Sequence, residues 1–141
     1  MGIYFPWRHL GLVSPLPPQI PPSHSFATES LTICSAIHRL PRWRAAGRSI
    51  RRLAILTDSA NSVSMFTTLS ASPDMNPILT SAVDILLACK CSYRIDHIPG
   101  EHNPVADALS RGQLARAYAL DPHLDIVTFT PPRDALGGFR S

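Results

Sequence analysis

Leu53-Ala54-Ile55-Leu56-Thr57-Asp58-Ser59 is a run of four apolar residues that ends in two hydroxyls flanking a carboxylate. A short, continuous apolar run, with no polar residue alternating through it, predicts a strand buried on both faces. Thr57-Asp58-Ser59 stops the run and supplies cap residues, so a helix is expected from there to about Leu69. A strand buried twice needs covering layers, and the flanking sequence has to provide them.

Downstream, Ser72-Pro73-Asp74 reads as a turn. Asn76-Pro77 opens a second helix with a cap residue and a proline at the first helical position. Ile78, Leu79, Ala82, Ile85, Leu86 and Cys89 form its apolar stripe. Tyr93 to Ile98 alternates as a half-exposed strand does, and Pro99-Gly100 is a turn. Asn103-Pro104 caps a helix over Val105 to about Ser110. Leu114 to Tyr118 reads as helical, followed by an irregular tail.

Upstream, six arginines fall between Arg39 and Arg52, with Trp43 and Gly47 among them, which predicts a basic loop. Phe26, Ser30, Ile33, Ile37 and Leu40 share one stripe, with Cys34 beside it, so a helix is expected there, ended by Pro41. The proline-rich connector Pro15 to Pro22 separates it from two short strands, Gly2 to Phe5 and Leu10 to Val13, joined by a turn. The order is strand, strand, helix, strand, helix, helix, strand, helix. That alternation argues for an α/β fold, a mixed sheet with helices on its faces. No internal repeat is visible.

Composition narrows the class. A chain of 141 residues suits one domain and excludes two ordinary ones. With 45% hydrophobic and 16% charged residues, a folded interior is feasible and wholesale disorder is excluded. The net charge of +3 and a pI near 9.1, carried almost entirely by arginine, lean toward a polyanionic partner. Cys34, Cys89 and Cys91 have no second pair at zinc-ligand spacing and read as reduced, mostly buried thiols of an intracellular protein. No apolar run approaches the ~18 residues of a bilayer span, so no membrane partner is expected. Pro6, Arg8 and His9 interrupt the N-terminal apolar residues, which argues against a signal peptide. Pro6 also stands where a myristoylation signal has Ser or Thr. The chain reads as soluble.

Three acids fall where chemistry can use them. Asp58 follows the buried strand, at the edge where open α/β sheets place their sites. Glu29 lies one turn before Ile33 and borders the apolar stripe. Asp107 is four residues past Asn103, near a positive helix end that favours its ionised form. Carboxylates converging at a strand edge need a cation to offset their repulsion, and oxygen ligands suit Mg²⁺. Plainer readings stay open: Asp58 as a helix cap, Glu29 as an ordinary first-turn acid, Asp107 as an ordinary exposed one.

The segment Ile98-Pro99-Gly100-Glu101-His102-Asn103-Pro104-Val105-Ala106-Asp107-Ala108-Leu109-Ser110-Arg111, with His97 before it, resembles the last motif of retroelement ribonuclease H domains, H-x-P-G-x-x-N-x-x-A-D-x-L-S-R. Leu56-Thr57-Asp58-Ser59 followed by Asn61-Ser62-Val63 is similar to the family's strand-then-Asp motif. Glu29 in Ala27-Thr28-Glu29-Ser30-Leu31 resembles the glutamate of its first helix. Pro131-Pro132-Arg133-Asp134-Ala135-Leu136-Gly137 is similar to sequence that follows the domain in fungal LTR-type retrotransposon polyproteins. The resemblance implies a ribonuclease H-like domain over residues 1–111. Residues 112–141 would then be an extension toward the next polyprotein segment.

The resemblance also implies a mixed sheet flanked by helices that carries four acids around two Mg²⁺ ions. One ion activates water and the other stabilises the leaving oxygen of the phosphodiester. The substrate is RNA in an RNA/DNA hybrid, recognised by its 2′-hydroxyls and groove shape. Glu29 matches the second acid, Asp58 the third and Asp107 the fourth, all three as metal ligands. His97 matches a mobile histidine that assists proton transfer or product release, and its plainer reading is a strand-end histidine with no role. Asn103 matches a helix-capping position that places the loop against nucleic acid. No Asp or Glu precedes Glu29. The first acid and the first strand that carries it are therefore expected to be missing, as in an N-terminally truncated domain. The two-metal site is then incomplete, and the isolated chain is expected to be inactive and poorly stable.

Arg42, Arg44 and Arg48 can grip a phosphate backbone, with Trp43 offering a stacking face, or else form a solvated loop. Three readings of function follow: a fragment of a metal-dependent endonuclease, a non-catalytic nucleic-acid-binding module, and a decayed reading frame.

Overall fold

The computed structural model describes residues 1–139 and has mixed α/β architecture. Strands β1 (Gly2–Phe5) and β2 (Leu10–Val13) are joined by a 3-10 turn, Pro6–Arg8. Helices α1 (Ser25–Ile37) and α2 (Leu40–Ala45) follow, then β3 (Arg52–Thr57), α3 (Ala60–Thr68) and α4 (Asn76–Ala88). Strand β4 (Ser92–His97) leads through a 3-10 turn, Gly100–His102, into α5 (Pro104–Ser110) and α6 (Leu114–Leu120). Strand β5 (Asp125–Thr128) and a 3-10 segment, Arg133–Phe139, complete it.

The strands form two small sheets. One has the order β1-β2-β5, with β1 antiparallel to β2 and β2 parallel to β5. The other is the parallel pair β3-β4, in which Thr57 stands opposite His97. The single sheet expected from the alternating pattern is therefore divided. Among the described residues no strand lies between β1 and β3, and each keeps an open outer edge. This also corrects the reading of Leu53 to Leu56 as buried on both faces. Leu53 and Ile55 pack inward, but Ala54 is exposed and Leu56 is 52% exposed, because the outer face and edge of β3 border a cleft.

Three further expectations are corrected. Pro41 does not end α1, which stops at Ile37. Instead it occupies the first turn of α2, where its missing N–H costs nothing, so part of the basic loop is helical. Helix α4 takes Met75 rather than Asn76 as its N-cap residue, and no side chain caps it. The tail is ordered: β5 extends the first sheet, and the 3-10 segment packs on α4 with Ala135 in the core. Leu124 and Ala117 join Val105, Ala108 and Leu109 in a second apolar cluster, so residues past Arg111 pack as part of the same fold.

The main core is built on α1 and α4, with Leu12, Ile20, Leu31, Ile37, Phe66, Met75 and Ile78 almost fully buried. Cys34 and Cys91 are buried free thiols, as expected. Strand β1 lies so close to α5 that a Cβ on Gly2 would sit 2.7 Å from the Leu109 Cβ, a contact only glycine permits.

A polar latch ties the β1–β2 turn to the α6–β5 connection. The Tyr4 hydroxyl donates to Asp121 Oδ2 at 2.7 Å, and His9 Nδ1 lies 2.9 and 2.8 Å from the two carboxylate oxygens. Tyr4 first, and His9 after it, hold the Asp121 carboxyl below its ordinary range. Burial, and then Asp121, push the Tyr4 phenol up to about 12. A depressed carboxyl stabilises the fold above its unfolded value, roughly pH 4, and that contribution disappears as pH falls through the folded value. The raised phenol contributes below roughly pH 10 and is lost as pH rises toward its folded value. Asp121→Asn is therefore expected to lower Tm at neutral pH and to flatten the acid limb of a Tm-against-pH curve. An unchanged curve would show the latch to be energetically idle.

Candidate functional site

The cleft between the two sheets has a volume of 420 Å³. Its walls are β1 and β3, its floor is α1 through Thr32, Ile33 and Ala36, and α5 closes one end. That end is where Glu29, Asp58 and Asp107 all line the cavity.

Each acid arrives on a different element. Asp58 stands just past β3, and its plainer reading as a cap is overturned. Ser59 is the N-cap of α3, its hydroxyl accepting from the Ser62 N–H at 3.2 Å, which leaves the Asp58 side chain exposed and free of capping. Ser62 in turn bonds Ser30 of α1 at 2.9 Å, so the turn after Asp58 is pinned to the helix carrying Glu29. Glu29 lies beyond the first turn of α1 and is half-buried. Burial foremost, and then the Asp58 carboxylate, raise the Glu29 carboxyl above its ordinary value, while the Met1 ammonium pulls it back. Asp107 sits in the first turn of α5, where the helix dipole favours its charge.

Gly100 marks how closely two of the acids approach. A Cβ there would lie 3.2 Å from Asp58 Oδ2 and 3.9 Å from Asp107 Oδ1, so any side chain would fill the space between the carboxylates. Asp107 is also engaged by cations. Arg111 Nε donates to Oδ1 and Arg116 to Oδ2, each at 3.0 Å. Arg116 and Arg111 hold its carboxyl below the usual range. Both partners lay outside the sequence reading: Arg111 could have been found from its i,i+4 spacing on one helix face, whereas Arg116 depends on the turn between α5 and α6.

A divalent ion needs carboxylate oxygens converging on one point. Among the described residues no group of three His, Cys, Asp or Glu side chains is close enough to hold one. With Asp107 committed to two guanidiniums, the acids as arranged do not form a closed ion site.

His97 ends β4 beside Asp58, its Nε2 lying 3.1 Å from the Asp58 carbonyl oxygen. The parallel register that pairs Thr57 with His97 brings the two together. Asn103 lines the cleft and takes the N-cap position of α5, but its side chain makes no capping bond there.

The expected nucleic-acid contacts are separated from the cleft. Arg42, Arg44 and Arg48 are exposed on and after α2 and do not line it. Arg44 donates to the Ala88 carbonyl at 2.8 Å. Trp43 is corrected as a stacking face. It is 5% exposed, packed edge-on against Phe5 at 4.9 Å and Trp7 at 5.0 Å, because the helical turn of α2 points it inward. Tyr4, Phe5 and Trp7 are the aromatics that line the cleft, and of these Trp7 is 54% exposed.

Among the described residues no helix is long and apolar enough to cross a membrane. No protein-family model, curated protein or solved structure gave a significant match to the chain.

Proposed function

We propose that this chain is a ribonuclease H-like domain of retroelement descent, of the fungal LTR type, whose acid site is incomplete and which does not cut nucleic acid on its own. The observation that carries this reading is that Glu29, Asp58 and Asp107, from three separate elements, all line the cleft between β1 and β3. His97 beside Asp58 adds to it. In the family the resemblance implies, a first strand bearing the first acid occupies the middle of the sheet. The unpaired edges of β1 and β3 on the cleft, among the described residues, support this reading.

The ancestral reaction is hydrolysis of RNA in an RNA/DNA hybrid. Mg²⁺ ions bound between the acids would supply the activated water and offset charge on the leaving oxygen. Glu29, Asp58 and Asp107 are the side chains that would hold them, and the bridges from Arg111 and Arg116 to Asp107 oppose that use. An intracellular location fits this origin and the free thiols.

A second reading, a non-catalytic nucleic-acid-binding module, is favoured by the exposed Arg42 and Arg48 and the exposed Trp7 at the cleft mouth. One experiment tests both readings: the purified chain is incubated with an end-labelled RNA/DNA hybrid in Mg²⁺ or Mn²⁺, beside Asp58→Asn. The hybrid is expected to stay intact with both proteins. Cleavage that disappears in Asp58→Asn would overturn the claim of inactivity. Retardation of the intact hybrid, weakening steeply with salt, would support the binding module.

A further inference from the structure

A second concavity, 330 Å³ in volume, opens where α1 meets α2 against the end of β5. Its lining includes Ser35, His38, Arg39, Arg42, Thr128 and Thr130. Arg39 is half-buried, and its Nε is fully buried with no acceptor among the described residues. A buried donor without a partner is costly and rare, so this guanidinium is held without the compensation that a bound anion would supply. The surrounding charge agrees. Burial, and after it the neighbouring Arg42 and Arg8, press the Arg39 guanidinium below its ordinary value. Arg8 stacks against Trp7 and Trp43 at 5.7 and 5.6 Å, which brings its charge to the same face. Among the described residues none of Arg8, Arg39 and Arg42 pairs with a carboxylate.

A carboxylate close to His38 is already engaged. Asp134 accepts from the Ser81 hydroxyl at 2.9 Å, and Ser81 in turn lies 2.8 Å from His38 Nε2. It acts on His38 rather than on the arginines. The Ser35 hydroxyl donates to the Leu31 carbonyl at 2.7 Å, which leaves the exposed Thr128 and Thr130 as the free hydroxyl donors.

We propose that this concavity binds a phosphate-type oxyanion, taken by the Arg39 and Arg42 guanidiniums and completed by the threonine hydroxyls. A guanidinium fork matches the oxygen spacing of phosphate, and charge-assisted bonds of this kind are the strong ones. The ligand is either free phosphate or a backbone phosphate of a nucleic acid. The site does not depend on the proposed ancestry, since none of its residues belongs to the acid cluster.

Isothermal titration of the full chain with inorganic phosphate tests it. Saturable binding is expected, weakened by about tenfold or more in Arg39→Gln and in Arg39→Lys, which keeps the charge and loses the planar guanidinium fork. Arg94→Gln removes a charge of the same sign from the Arg94–Asp96 pair on β4 and should leave binding unchanged. If Arg39→Gln fails to fold, Arg39→Lys and Thr130→Val carry the test. Titration with a short DNA oligonucleotide separates the sources. Competition by free phosphate and loss in Arg39→Lys mark a backbone phosphate, whereas oligonucleotide binding indifferent to both marks free phosphate. Absent saturation, or equal phosphate affinity in wild type and Arg39→Lys, would overturn the proposal.

Discussion

A strand of about six alternating residues, added upstream of Met1 through an Asn-Gly turn, is expected to raise Tm. With an aspartate near the end of that strand, it should also confer Mn²⁺-dependent cleavage of an RNA/DNA hybrid. The physical case starts from the two open edges. Among the described residues strand β1 pairs only with β2, and β3 only with β4, so the backbone groups on their outer sides have no ladder partner there. An antiparallel neighbour of β1 would satisfy both edges at once, each new hydrogen bond contributing roughly 0.5–1.5 kcal/mol. It would also cover Leu56, now 52% exposed. Burying a leucine contributes roughly 1.5–3 kcal/mol, so the combined gain is about 5 °C or more in Tm.

The added strand would end at the acid end of the cleft. Gly2 packs against Leu109, two residues from Asp107, and the Met1 ammonium is near enough to act on Glu29. An aspartate there supplies the fourth carboxylate, whereas the asparagine version should stabilise equally and cut nothing. Asp58→Asn in the extended protein should abolish the cleavage. An unchanged Tm would show that the cleft does not take a strand. A raised Tm without cleavage would separate the shape of the cleft from its chemistry.

What the sequence disclosed about the fold depended on the range of the interactions. Helices α3, α4 and α5 were legible because the Ser59 cap, Pro77, Pro104 and a regular apolar stripe act within one element. The β1–β2 hairpin was legible for the same reason. Strand β5 was missed because Asp125-Ile126-Val127-Thr128 has no pattern of its own. Its place is set by pairing with β2, more than a hundred residues earlier. The segment Leu53 to Leu56 was read correctly as a strand and wrongly as fully covered. Hydrophobicity reports a preference for burial, and the described residues provide no neighbouring strand on that side.

The acid site divided in a similar way. Asp58 was placed by its strand end and Asp107 by its helix start, both local signals. Their approach across Gly100, and the closure of Asp107 by Arg116, depend on how α5 and α6 turn. Spacing along the chain does not encode that turn. Arg39 was counted only as one arginine among six. Nothing local marks it out, because its unpaired Nε results from packing between α1, α2 and β5.

Trp43 gives the second large effect, since the two ways of reading it predict opposite results. A tryptophan in an exposed arginine loop would serve for stacking, and its loss would weaken nucleic-acid binding without disturbing the fold. The structure instead buries it between Phe5 of β1 and the Trp7 turn, where it joins α2 to the first sheet. Trp43→Ala would empty a large packed volume and cost about 3–5 kcal/mol. In a chain of this size, Tm would fall by roughly 10 °C or more, and the open cleft leaves little reserve against that loss. Trp43→Phe keeps most of the packing and should lose far less. Arg42→Gln and Arg48→Gln, both on exposed side chains, should leave Tm within about 1 °C, because surface substitutions stay near ±0.5 kcal/mol. Thermal melts of the four variants decide the matter. If Trp43→Ala melts with the wild type, the indole is no part of the core, and the packing of α2 against β1 would have to be redrawn.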